Sequence, residues 1–127
     1  MLTEKQAELF RAPNFAVVGT IGRGGSPQMS VVWADWDGEC VVFNTAAGRA
    51  KTRNLQRDPR CTVLVYAAED PYRWVAVLGR IEVTSDGADE HIDQMARKYT
   101  GSGWTHRPGQ QRLIVRVRPE HVTGYSE

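Results

Sequence analysis

The chain has 127 residues, 41% apolar and 24% charged, which is enough length for a packed core and too much hydrophobicity for disorder. Its 16 basic and 15 acidic side chains leave a net charge of +1, which argues against a nucleic-acid partner, because nucleic-acid binders carry a broad positive field. No run approaches the roughly 20 apolar residues of a membrane span, and the first fifteen residues carry neither an apolar core nor a cleavage site.

A cytoplasmic protein with no membrane partner is therefore expected, organised as one domain over residues 1–127. Cys40 and Cys61 lie far apart in apolar surroundings and read as buried thiols rather than a disulfide.

In chain order, "TEKQAELFRA" reads as a short helix. Thr3 serves as its cap, Gln6 completes a capping box and Leu2 staples the start, while Pro13 ends it. "FAVVGTI" is a first strand, "GRGGSP" a turn and "QMSVVWADW" a second strand. Asp37–Gly38 is a hairpin turn into a third strand, "CVVFNT". The segment from Ala50 to Asp58 is a short helix stopped by Pro59, and "RCTVLVYA" is a fourth strand. "EDPYR" reads as a loop, and "WVAVLGRIEVT" as a fifth strand in which Gly79 marks a bulge or tight bend. "DGADEHIDQMARKYT" is a helix with Ile92, Met95, Ala96 and Tyr99 on one face. A glycine-rich loop, "GSGWTHRPGQ", leads to a long strand "QRLIVRVRP", with "HVTGY" as a short final strand. Several strands are apolar on both faces, which suits a barrel covered outside as well as packed inside. The helices are short, so a second copy of the chain is the expected cover.

Motifs for most chemistries are missing. His91, His106 and His121 are scattered without metal-ligand spacing, so no metal is expected. "GTIGRG" is followed by a strand, not a helix, and is rejected as a dinucleotide fingerprint. No carboxylate pair stands out and no catalytic residue is assigned, so any difficult chemistry falls to a cofactor.

The strongest local signal is "NTAAGRAKTRNLQRDPR", residues 44–60, where Arg49, Lys51, Arg53, Arg57 and Arg60 face only one acid, Asp58. On a helix, Arg49, Arg53 and Arg57 form one stripe, while Lys51 shares a side with Leu55 and leans toward the body. The stripe is either a solvated face or a binding surface. Thr45, Arg49, Lys51 and the free N–H groups of the helix start together suit a phosphate.

From the glycine-rich turn through "PQMSVVW", "DG", "VVFNT", "GRAK", "NL" and "DPR", the chain resembles the flavin- and deazaflavin-dependent oxidoreductases of the split β-barrel superfamily, which includes pyridoxamine 5'-phosphate oxidase. In particular it is similar to the actinobacterial group that uses coenzyme F420. The resemblance covers nearly the whole chain, most specifically residues 27–33 and 44–60. It implies a mainly β fold with short helices: a six-stranded antiparallel split β-barrel, homodimeric, with two cofactor sites at the interface. It implies that Gln28, Met29, Ser30, Val31 and Val32 lie against the cofactor ring, largely through backbone groups. Asn44, Thr45, Arg49 and Lys51 would hold the ribityl chain and phosphate. Trp74 would reach the site from the second subunit, or else fill an ordinary core or interface position.

The cofactor expected is coenzyme F420, with FMN as the alternative, because three stripe arginines exceed the needs of one phosphate and suit a tail of glutamates. The implied activity is transfer of a hydride from reduced F420 to a small conjugated acceptor such as a quinone, a tetrapyrrole or a fused aromatic. The acceptor would sit near Trp33 or Trp36, Trp74 and the "GSGWTHRPG" loop. Two other readings stay open: an FMN-dependent oxidoreductase of the same fold, and a non-catalytic F420 carrier.

Overall fold

The periodicity of two in the strands and of 3.6 in the helices carries over into a computed structural model that describes residues 1–125. Helix α1 spans Glu4–Arg11. The Thr3 hydroxyl accepts from the Gln6 N–H (3.2 Å) and the Gln6 side-chain oxygen accepts from the Thr3 N–H (2.9 Å), so the capping box forms as the sequence indicates. Strands β1 (Phe15–Ile21), β2 (Pro27–Trp36) and β3 (Val41–Ala46) follow as an antiparallel meander. The β2–β3 hairpin turns at Gly38, whose φ of 101° suits glycine, and the Asp37 carboxylate accepts from the N–H groups of Glu39 and Cys40. Helix α2 (Ala50–Arg57) then leads to β4 (Arg60–Ala67), β5 (Asp70–Thr84), α3 (Ala88–Thr100) and β6 (Arg112–Tyr125).

The six strands close into one antiparallel barrel in the order β1-β2-β3-β6-β5-β4. Two expectations need correction. "EDPYR" is not a loop, because β5 already begins at Asp70; the turn shrinks to two residues and the surplus is absorbed by a bulge opposite Tyr66 and Ala67. "HVTGY" is not a separate strand but the far half of β6, which runs unbroken past a register shift opposite Leu78 and Gly79. Gly79 is needed there for close approach: a Cβ at this position would lie 1.9 Å from the Arg118 carbonyl oxygen.

The barrel is filled by small β-branched side chains, including Val18, Val63, Val65, Val75, Val77, Val115 and Val117, together with Phe43. Helix α1 adds Leu9 and Phe10 to this core. Every residue of β3 is buried, because its inner face fills the barrel and α3 lies over its outer side with Ala88, Ile92, Met95 and Ala96 packed inward. The Tyr99 hydroxyl ties α3 down, donating to Asn14 O (2.6 Å) and accepting from Ala34 N–H (2.9 Å). Cys40 and Cys61 are free, buried thiols. The outer face across β2, β1, β4 and β5 is different. Registry sets Val31 beside Val17, Met29 beside Gly19 and Thr62 beside Leu78, yet Phe15, Met29, Val31, Tyr66 and Leu78 are all exposed. Among the described residues, no helix is long and apolar enough to cross a membrane.

Candidate functional site

Strand pairing creates the site. β2 pairs with β1 all along Pro27–Trp33, but it pairs with β3 only over Ala34–Trp36. β3 pairs with β6 along its whole length, Val41–Ala46, so from Asn44 onward it keeps β6 on one edge and has lost β2 on the other. The two strands therefore splay, and a wedge opens beside Val31 and Val32 in which β2 has a strand neighbour on one side only. An open cleft of about 220 Å³ occupies this wedge.

One wall of the cleft is apolar, formed by Phe15, Val31, Trp33, Ile92, Met95 and Trp104. Trp33 stacks on Tyr99 (5.4 Å between ring centroids) and meets Trp104 edge-on at 5.9 Å, so the aromatic wall is braced from behind by α3 and from the side by the loop that follows it. Such a wall suits a flat conjugated ring.

The other end is cationic. Arg49, Lys51 and Arg112 line it beside Asn44 and Thr45. Gly48, at φ 86°, makes the turn that presents Arg49 as the N-cap of α2. Among the described residues no side chain caps this helix start, so its first N–H groups have no side-chain partner. Lys51 is buried at 8% exposure, and Arg112 at 6%. Burial first, then the charges of Arg49 and Arg112, holds the Lys51 ammonium below its ordinary pKa. Burial, with Arg49 second, acts the same way on Arg112, with Asp89 opposing. The Arg112 guanidinium donates from Nε to Asn44 Oδ1 (2.9 Å) and from one terminal nitrogen to Gln110 Oε1 (3.2 Å), and it lies 5.1 Å from the Trp104 ring centroid.

Among the described residues, none of these three cations is in a salt bridge. Two buried polar atoms of cleft-lining residues, Thr45 Oγ1 and Trp104 Nε1, have no hydrogen-bond partner among the described residues. Buried donors without partners are uncommon in folded proteins and ask for an explanation. Three uncompensated cations and two orphaned donors around one cleft fit an anionic ligand with acceptor oxygens.

Of the residues singled out in the sequence, Val31, Val32, Asn44, Thr45, Arg49 and Lys51 meet at this cleft. Gln28, Met29 and Ser30 lie earlier on β2 and do not line it. The Gln28 side chain accepts from the Thr20 hydroxyl (3.1 Å), Met29 is exposed and the Ser30 hydroxyl is buried without a partner. Trp74 sits on β5 opposite Tyr66, half-buried and outside the cleft of its own chain. The rest of the basic segment is engaged elsewhere. Arg53 donates to the Gly48 carbonyl, Arg57 to Asn54 Oδ1 (2.6 Å), and Arg60 pairs with Asp58 at 2.6 Å, holding that carboxyl down at about 2. Trp36 borders a different cleft, with His91 and Arg116.

Arg112, Phe15, Ile92 and Met95 are site residues that the sequence reading did not single out. A signal for Arg112 exists: in "RLIVRVR" the alternation puts Arg112 in phase with Ile114 and Arg116, on the outer side that α3 covers.

The comparisons with known proteins agree with this fold. Residues 2–126 match the family model described as pyridoxamine 5'-phosphate oxidase. A solved structure named F420 reductase is 27% identical with a TM-score of 0.85, and the match covers 96% of this chain and 98% of that one. A conserved hypothetical protein from Mycobacterium tuberculosis matches at 23% identity and a TM-score of 0.79, over 99% of this chain and 86% of that one. A putative pyridoxamine 5'-phosphate oxidase from Lactobacillus delbrueckii matches at 21% identity and a TM-score of 0.70, over 97% and 93%. The last two likenesses concern the fold alone.

Proposed function

The chain belongs to the pyridoxamine 5'-phosphate oxidase family, and from that membership we propose that it is an oxidoreductase that uses coenzyme F420 to reduce a small conjugated acceptor. The observation that carries the reading is the cationic end of the cleft: Arg49, Lys51 and Arg112 without acidic partners, beside the orphaned Thr45 hydroxyl and an aromatic wall. A ligand with a flat ring at one end and a phosphate at the other satisfies both ends at once.

When bound, reduced F420 supplies a hydride equivalent to the acceptor. The chain's own residues bind and orient. Lys51 and Arg49 hold phosphate oxygens with charge-assisted hydrogen bonds, and the Thr45 hydroxyl gains the partner it lacks. Trp33, Trp104 and Val31 fix the plane of the ring and exclude water from it. The exposed edge of β2 offers backbone groups along the wedge.

Choosing F420 over FMN rests on the likeness to the F420 reductase. Arg53 and Arg57, exposed on the same helix as Lys51, would meet a longer acidic tail. FMN is the second reading, and one observation favours it: three cations at the cleft are enough for a single phosphate.

The apolar face of Phe15, Met29, Val31, Tyr66 and Leu78 supports a homodimer, in which Trp74 of β5 would approach the partner's cleft. Titration of the purified protein with F420 and with FMN, read by quenching of tryptophan fluorescence, tests the assignment. Tighter binding of F420 is expected. Equal or tighter binding of FMN would move the assignment to a flavin enzyme, and binding of F420 with no turnover of any quinone, tetrapyrrole or fused aromatic would make the protein a carrier.

A further inference from the structure

Asn44 stands between two openings of the fold. On one side its carboxamide oxygen holds Arg112 at the cationic end of the cleft. On the other its nitrogen lies 3.0 Å from His91 Nδ1 and 3.0 Å from the Ala88 carbonyl oxygen. His91 itself borders a second, separate cleft of about 350 Å³ with Trp36, Gln94 and Arg116. A chain of hydrogen bonds therefore runs from that second opening, through one amide, to the anion seat.

The direction of each bond is forced. A guanidinium Nε–H can only donate and a carbonyl oxygen can only accept. These two partners fix the Asn44 amide with Oδ1 toward Arg112 and Nδ2 toward Ala88. The amide nitrogen then points its remaining N–H at His91 Nδ1, which must offer a lone pair. The ring is neutral and its proton sits on Nε2.

We propose that His91 is a positioning residue for the anion seat: its unprotonated Nδ1 locks the Asn44 amide that holds Arg112, and a proton taken up at Nδ1 loosens the seat. A protonated Nδ1 sets N–H against N–H. Turning the amide over removes that clash but creates two others, oxygen against the Ala88 carbonyl and N–H against the Arg112 Nε–H. Turning the imidazole away instead leaves an amide N–H without a partner. Either response weakens the hold on Arg112.

The charges around His91 leave it neutral near pH 7. Asp35 of β2 faces it but is itself 3.6 Å from Lys98 of α3. Asp37 and Arg116, across the second cleft, pair with each other at 2.7 Å, and Arg112 stands beyond Asn44. Burial is the leading influence and lowers the His91 pKa below its usual value; Asp35 raises it and Lys98 lowers it. Loosening is thus confined to the acid side of neutrality.

The inference rests on the cleft being an anion seat, and the test separates the two. Nitrogen-15 NMR of the ligand-free protein reads the His91 tautomer and follows the Arg112 Nε–H resonance from pH 8 to pH 5. Sulfate, dianionic throughout that range, is the probe of the seat. His91→Asn keeps an acceptor near Nδ1 that takes up no proton, and His91→Phe keeps a ring without an acceptor. The expected results are a proton on Nε2 only and an Arg112 Nε–H that shifts as His91 titrates. Sulfate affinity should fall by about twofold to tenfold on acidification of the wild type, the range of one neutral hydrogen bond. H91N should bind sulfate equally at both pH values, and H91F weakly at both. A proton on Nδ1 at pH 7, a sulfate affinity that rises on acidification, or one pH profile shared by wild type and H91N would overturn the role of His91. Failure of sulfate to bind at any pH would overturn the anion seat, while the tautomer and the Arg112 resonance still decide whether His91 acts on Arg112.

Discussion

Replacing Lys51 by Met separates a functional charge from a structural one. The ammonium is buried near Arg49 and Arg112 with no acid beside it, and its pKa is lowered by burial first and by those two charges next. Without a ligand the charge is a cost, and a methionine of similar length removes it while keeping the packing over Leu55. The ligand-free variant should gain on the order of 1 kcal/mol, or roughly 3–5 °C in melting temperature for a chain of this size.

Ligand binding should move the other way. Loss of a hydrogen bond from a charged donor is worth about 1.5–3 kcal/mol, which weakens affinity about tenfold to a hundredfold. At a ligand concentration of 100 Kd the wild type is stabilised by about 2.7 kcal/mol; with affinity reduced about thirtyfold the same concentration gives only about 0.9 kcal/mol. Thermal melts with and without F420 or FMN should therefore cross, the variant melting higher when free and lower when loaded. The pH dependence has a definite sign. The folded-state pKa of Lys51 lies below its unfolded value, so the unfolded chain holds more proton as pH approaches 10.5 and the Lys51 contribution to stability rises there; the variant lacks this contribution. A variant that melts lower when free, with unchanged ligand shifts, would refute the reasoning and leave Lys51 a packing residue.

Gly79→Ala should destabilise by about 2–3 kcal/mol, because the added Cβ meets the Arg118 carbonyl oxygen at 1.9 Å and backbone must move; a denaturation midpoint within error of wild type would contradict this. Asn54→Leu should cost about 1–3 kcal/mol and also weaken ligand binding, since Asn54 bonds the Thr20 hydroxyl (3.0 Å) and Arg57 and so moors the helix that carries Lys51; urea melts paired with ligand titration check both effects. Burial raises the Tyr99 hydroxyl from 10.0 to about 12 and the Cys61 thiol from 9.0 to about 12. The unfolded chain releases these protons first, so the contribution of these two groups to stability holds below about pH 9 and falls as pH climbs to 12, opposite in sign to that of Lys51, and Tyr99→Phe should remove part of that alkaline fall. Val31→Asp should convert the proposed homodimer to monomer in light scattering; a wild-type mass that is already monomeric would remove the proposed interface.

The sequence exposes these features unevenly, for physical reasons. Runs of β-branched apolar residues made the individual strands legible, while their number and closure into a six-stranded barrel came from the family resemblance; local chemistry made the capping box at Thr3 and Gln6, the Asp37–Gly38 turn and the Gly79 bulge legible. The strand signal failed at "DPYR", where proline and charge look like a loop but sit in a bulged strand edge. For the site, "NTAAGRAK" was legible because consecutive residues bring Thr45, Arg49 and Lys51 together. Arg112 was not, because only the β3–β6 register, Ala46 against Arg112, places it beside them. The arginine stripe looked uniform in sequence, yet Arg57 is bonded to Asn54 and Arg53 to Gly48, distinctions that exist only once α2 is docked.

β6 is synthesised last but pairs with both β3 and β5, and it supplies Arg112 to a partner 68 residues earlier. The kinetic consequence is that the ring of strands cannot close, and the anion seat cannot exist, before this strand docks. Pairings of such sequence separation must overcome loop closure before they gain contacts, which places barrels of this kind in the millisecond-to-second range of refolding. Recovery of ligand binding should then share the rate of the slowest barrel-forming phase. Any earlier collapsed species, even one holding the β1–β2–β3 meander and α2, should carry Lys51 and Arg49 in place and still bind weakly for want of the last strand.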